Sequence, residues 1–264
     1  MVRRQKANYT IQSVSHALDV LEQFSSEADE LGVTELSKRL KLHKNNVFRI
    51  LATLESRGYI DQNRITENYR LGIRCLRLGQ GYLSQNGLRR LAEPVMRALV
   101  ADCGETAFVA VLHQDRAVVL DACEPERPVR YVPRIGDPTT APESPAGQVL
   151  LAFAEMTATA REEASRRGGA ALNHPGATLA TVLADGFACD PATGESDERS
   201  LAVPVRDYTG AVVAALGVAG PRPRLVEQHL RDVLLPRLQD AARTLSTRLG
   251  YDEPATNGIR LSNF

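Results

Sequence analysis

The stretch that most constrains this chain runs from Leu40 to Ile60 and reads LKLHKNNVFRILATLESRGYI. Wound as a helix from Lys44, it sets Val47, Ile50, Leu51 and Leu54 on one side, the spacing of a core-facing helix. Asn45, Asn46, Arg49 and Thr53 fall on the other side, and no acid occurs between Leu36 and Leu54. Amides and guanidinium groups can make paired hydrogen bonds to base edges in a DNA major groove. The stretch is therefore expected to be a DNA-reading helix, with Asn45, Asn46 or Arg49 on bases and Lys41, Lys44 and Arg64 on phosphates.

Its flanks fit that reading. Thr10 to Phe24 is expected to be a first helix with Val14, Ala17, Leu18 and Leu21 inward and Ser13 as a possible N-cap. Ser25 to Glu30 reads as a loop. Thr34 to Leu40 makes a short second helix, and Leu42-His43 turns into the third. Gly58 suits a left-handed C-terminal cap. Gly58 to Asp61 and Asn68 to Leu71 flank a polar turn with Arg64 near its tip, a β-hairpin pattern. Three helices and a hairpin make a winged helix-turn-helix. A helical module docking on another protein is the alternative, but such a face would carry aromatic or aliphatic anchors.

Composition bounds the remainder. The 264 residues suffice for two domains, and 43% hydrophobic with 24% charged residues suits a globular protein. No apolar run approaches the roughly 18 residues of a membrane span. The segment MVRRQKANYTIQS lacks the apolar core of a secretory signal, so a cytoplasmic protein is expected. Residues 1–9 are expected to be disordered. Cys75, Cys103, Cys123 and Cys189 form no CxxC pair and, with five scattered histidines, offer no zinc spacing; buried reduced thiols are expected. The net charge of zero hides an asymmetry, because residues 1–80 hold 13 Lys and Arg against 9 Asp and Glu. A polyanion-binding module on a regulatory body has that pattern, and so does a solvated basic face.

Gly72 to Gly87 reads as a linker helix, able to pack on its own copy or within the chain. Beyond it, Leu88 to Cys103 is a helix, and Thr106 to Leu112, Ala117 to Ala122 and Val129 to Val132 are expected strands. Ser144-Pro145 opens a helix to about Glu155, with Ser as N-cap and Pro at the first position. Thr157 to Arg167 is expected to be helical and Leu172 to Thr178 a loop. Leu201 to Arg206 and Ala211 to Val218 are strands. Leu225 to Leu249 is a closing helix that Pro236 should kink. The fold class is α+β: a winged helix-turn-helix at 10–72, a linker helix at 73–87, a sensor-like domain at 88–250 and a flexible tail at 251–264.

The chain resembles the IclR family of bacterial transcriptional regulators. The resemblance is carried by Ile11 to Leu21 (IQSVSHALDVL), Leu51 to Ile60 (LATLESRGYI), Tyr69-Arg70-Leu71-Gly72, Ala146-Gly147 with Leu150 to Phe153, and Ala202 to Asp207 (AVPVRD). It spans about Ile11 to Gly250, in family order. It implies a GAF-like effector-binding domain, homodimers or dimers of dimers, a palindromic double-stranded DNA operator and a small-molecule effector, with no cofactor. Position by position it implies a pocket at Pro145, Ala146, Asp190, Ser200, Gly217 and Ala219. Ser200 stands where the family often has Cys, and Gly217 and Ala219 where it often has Ser. A roomier pocket with fewer donors follows, and Ala154 to Asp185 looks shorter than usual. The recognition helix also departs, with His43-Lys44-Asn45-Asn46 in place of Pro-Lys-Ser-Thr.

No enzymatic reading gathers support. Asp190 with Ser200, or Asp121 with His113, could be imagined as catalytic, but no GxSxG, P-loop or HExxH is present. Two readings remain: a regulator controlled by an organic acid or aromatic effector, and a DNA-binding protein with a vestigial pocket whose C-terminal domain oligomerises or recruits a partner.

Overall fold

The computed structural model describes residues 10–24, 30–154, 179–192 and 196–252. The expectations for residues 1–9, for the loop Ser25 to Asp29, for Thr157 to Thr178 and for the tail beyond Asp252 lie outside these. The chain forms two compact units that divide between Gln85 and Asn86.

The first unit contains α1 (Gln12–Glu22), α2 (Val33–Leu40), α3 (Lys44–Ser56), β1 (Ile60–Gln62), β2 (Tyr69–Leu71) and α4 (Ile73–Gln85). Val20, Leu36, Val47, Leu51 and Ile60 are fully enclosed, so the stripe read from α3 is its contribution to this core. Ser13 does not cap α1: Ile11 holds the cap position without a side-chain bond, and the helix starts before Ser13. Lys41 ends α2 in the left-handed region at φ 54°, and Ser37 Oγ donates to the Leu42 carbonyl at 2.6 Å. That pair forms the tight turn into α3. Gly58 takes φ +73°, and a Cβ on Gly72 would lie 2.5 Å from the Gly58 carbonyl oxygen. The two glycines let the hairpin exit cross the end of α3. Leu31 exchanges two 2.9 Å backbone bonds with Tyr69, adding a third short strand segment to the wing.

The second unit opens with α5 (Gly87–Cys103), capped by Asn86, whose side chain accepts from Arg89 N at 3.1 Å. A six-stranded antiparallel sheet follows: β3 (Thr106–His113), β4 (Arg116–Cys123), β5 (Pro138–Thr140), β6 (Ala188–Cys189), β7 (Glu198–Arg206) and β8 (Val212–Pro221), in the order β5-β4-β3-β8-β7-β6. Side chains alternate across it. Phe108, Ala110, Ala202, Ala215 and Ala219 face α6 (Pro145–Phe153) and α7 (Leu179–Asp185). The opposite face, with Val109, Leu216 and Val218, meets α5 and α9 (Leu235–Arg248).

Two expectations are corrected. Val129 to Val132 is not a strand, and the edge strand is β5 instead. Pro128 and Pro133 bracket the segment and supply no N–H to a ladder, and the Tyr131 carbonyl accepts from Thr106 Oγ1 at 2.6 Å. The closing helix is not α-helical throughout: α8 (Glu227–His229) widens into a π-turn over Leu230–Leu234 and continues without a break into α9, with Pro236 just after the π-turn. Prolines and π-turns are both places where helices bend.

Candidate nucleic-acid interface and ligand cavity

Lys41, Lys44, Asn45, Asn46, Arg49 and Arg64 are all exposed and all belong to the first unit. Lys41 to Arg49 are contiguous on the turn and first two turns of α3, and Arg64 sits in the β1–β2 turn. None of these cations has a carboxylate partner among the described residues, whereas Arg39 is tied to Glu35 at 2.6 Å. The wing is clipped by a residue the sequence reading did not single out. Glu30 accepts from Asn63 Nδ2 and Thr66 Oγ1, each at 2.7 Å, on the two sides of Arg64. These bonds hold its carboxyl below the usual carboxylate range. Phe48, 54% exposed on α3, and Ile65, 93% exposed at the wing tip, were also not singled out.

In the second unit a cavity of about 400 Å³ lies between the sheet, the start of α6 and the loop after β6. Pro145, Ala146, Asp190, Ser200 and Ala219 line it. Gly217 does not, which corrects the expected pocket. Gly217 sits opposite Phe108 across β3 and β8, and a Cβ there would lie 2.3 Å from the Phe108 ring. The ring therefore takes the space a side chain at 217 would fill, and the cavity is not enlarged there. Gly147 is equally constrained: a Cβ would lie 2.0 Å from the Ala141 carbonyl oxygen, where a short 3-10 turn passes under α6. Ser144 Oγ accepts from Gly147 N at 3.2 Å, so Ser144 is the N-cap read from the sequence.

The polar lining is largely bound to itself. Asp190 Oδ2 accepts from Ser200 N at 2.7 Å and Ser200 Oγ at 2.8 Å. The buried Arg199 donates to the Asp190 carbonyl at 2.9 Å, to the Leu225 carbonyl at 2.8 Å and to the Glu227 carboxylate. Arg222 spans the loop, donating to the carbonyls of Pro191 and Ser196, each at 2.7 Å, and of Glu198 at 3.2 Å. Burial and the adjacent Asp197 push the Glu198 carboxyl up, and burial pushes up the Tyr131 phenol beside Glu198 and Asp190. Phe108, Tyr131, Arg199 and Arg222 thus complete a site whose presence in one place depends on strand pairing. The Asp190–Ser200 pair has no histidine among the residues lining the cavity. Asp121 lies opposite Val109 and forms an ion pair with Arg89 at 2.9 Å, away from the strand-end His113. Among the described residues no cluster could hold a metal, and no helix is long and apolar enough to cross a membrane. The four thiols are half-buried and free, and burial raises the pKa of each.

Residues 13–64 match the IclR helix-turn-helix domain, and residues 80–247 match the C-terminal domain of the bacterial transcriptional regulator IclR. The chain belongs to the IclR family. It is 31% identical to the transcriptional regulator XynR of Escherichia coli, covering 91% of this chain and 98% of that protein. It is 29% identical to the regulator KdgR of Escherichia coli, over 92% and 95% of the two chains. The fold is that of an IclR homologue from Microbacterium hydrocarbonoxydans solved with 4-hydroxybenzoate, with TM-score 0.71, 24% identity and coverage of 90% and 99%. The winged helix-turn-helix and α+β architecture are those of the family, and the protein is an IclR-family transcriptional regulator with a helix-turn-helix DNA-binding domain.

Proposed function

We propose that the protein is a sequence-specific, cytoplasmic regulator that binds a palindromic operator as a dimer or dimer of dimers and is controlled by an organic acid or aromatic effector in the cavity of its second unit. The cavity carries this reading. Its lining combines the apolar Phe108, Ala110, Val119 and Ala219 with the polar Ser144, Asp190, Ser200 and Arg222, a combination suited to a small ligand with polar groups. The IclR homologue solved with 4-hydroxybenzoate supports an effector of that size. Asn45, Asn46 or Arg49 reads bases while Lys41, Lys44 and Arg64 hold phosphates. The effector acts by favouring one arrangement of paired reading heads over another.

Two measurements test it. A thermal-shift panel of organic acids and benzoates should raise the melting temperature for at least one class, because a ligand that binds only the folded state stabilises it. On a selected operator, Arg49→Ala should relax sequence preference, with about 1–3 kcal/mol lost at one base position. Lys44→Ala should weaken all DNA alike and lower the salt slope by about one. Equal losses for Arg49→Ala on specific and random DNA would exclude base reading. A second reading, a domain that only oligomerises or recruits a partner, is favoured by the internal bonding of Asp190, Ser200 and Arg222. Absence of any thermal shift across the panel would select it.

A further inference from the structure

We infer that Phe48 is a specificity-determining residue whose ring packs on the 5-methyl group of thymine in the major groove of the bound duplex. The inference rests on the base-reading role of α3 proposed above.

Phe48 is 54% exposed, while Val47, Leu51 and Leu54 on the same helix are at most 7% exposed. It takes no part in the core of its unit, which uses Ile50 as its partly buried flank. An exposed phenylalanine therefore stands in the second turn of a helix whose neighbouring outward side chains are Lys44, Asn45 and Arg49. One turn further on is the small, exposed Ala52, which leaves the ring clear on that side. The nearest acid along the helix is Glu55, two turns away. Phe48 is the one large apolar residue exposed on α3, and a protein-docking face would need a cluster of such anchors. A cationic helix face with a single apolar spot complements a polyanion that presents an isolated apolar group. The thymine methyl is that group in the major groove, and apolar side chains including Phe are suited to it. The N-terminal half of a recognition helix is the part that approaches base edges, and Phe48 is its fifth residue.

The test begins by selecting sites for the wild-type protein from a random duplex library. Each thymine of the best site is then replaced by deoxyuridine, which removes only the methyl group, and Kd is measured at fixed salt for wild type and Phe48→Ala. At one thymine position per half-site the wild type should lose about three- to fivefold, the weight of one buried methyl. Phe48→Ala should bind the thymine and deoxyuridine sites equally and melt within a degree or two of wild type. Phe48→Ala that keeps the wild-type sensitivity to deoxyuridine overturns the inference alone, as does a wild type indifferent to deoxyuridine at every position. So does a Phe48→Ala whose loss of binding follows a change in oligomeric state by sedimentation. A wild type that selects no sequence removes the base-reading role of α3 and this inference together.

Discussion

Gly217 shows how one missing side chain shapes a ligand cavity. A Cβ there would meet three atoms of the Phe108 ring at 2.3 to 2.8 Å, so glycine and ring are a matched pair. Gly217→Ala must displace either the ring or the strand, and overpacking of this kind costs about 1–3 kcal/mol. In a Phe108→Ala background the same change should be nearly neutral. A double-mutant cycle by urea denaturation should therefore show strong coupling, and additive losses would mean the contact does not shape the site. Lys41 is a second residue in an unusual state, at φ 54° where glycine is the usual occupant. It lies in the turn into α3, and the phosphate contact proposed for it above would offset that conformational cost. Both roles were partly legible. Lys41 stands out as a cation in a turn, and Gly217 as a departure from family pattern. Neither could be read in full: the opposing ring depends on how distant segments meet, and a lysine carries no residue-type signal for a positive φ.

Among the elements, the wing is held from outside its own hairpin. Glu30 reaches across from the segment before α2 to both sides of the turn that carries Arg64. Glu30→Gln should loosen that turn, seen as faster amide exchange at Ile65 and Asn68, and should reduce DNA affinity modestly with α3 unaffected. The same carboxyl is held below its ordinary range by these bonds. Its contribution is therefore present above the unfolded pKa and lost as pH falls through the lower folded value. Protection of the wing amides, after correction for intrinsic exchange, should be lost only at acidic pH in the wild type, and a loss of protection near neutrality would contradict the assignment. In the second unit, an irregularity in the pairing of β3 with β4 places Val119 opposite Ala110 and Asp121 opposite Val109. Strict alternation would have kept Asp121 on the cavity face with Val119. The extra residue, Leu120, turns it to the α5 face, where Arg89 meets it.

On the scale of the whole molecule, the first unit leaves several apolar side chains uncovered. Ile11, Val14 and Leu18 on and before α1, and Ile73, Leu76, Leu78 and Tyr82 on α4, are all more than half exposed, and α4 has no buried residue. On α4, Ile73 and Leu76 share one side at the i, i+3 spacing, and we propose that this side pairs two copies, as the linker helix suggested. Ile73→Glu with Leu76→Glu should give a folded protein that sediments as a smaller species and loses operator affinity by more than tenfold. Retention of the wild-type assembly would place the contact elsewhere. Periodicity and turn residues located the three helices and hairpin of the first unit, because both are local properties, but they did not set the inward side of α1: Val14 and Leu18, expected to face inward, are each 53% exposed, and Val20 is buried instead. Capping preference placed Ser144, and periodicity put Asn45, Asn46 and Arg49 away from the core side of α3. The tertiary structure alone decided which strands became neighbours, that Phe108 would occupy the place of a side chain at Gly217, and that Arg199 and Arg222 would bind the loop after β6. Those outcomes arise from contacts between residues 9 to more than 100 positions apart, and no local pattern records which partner a distant segment will meet.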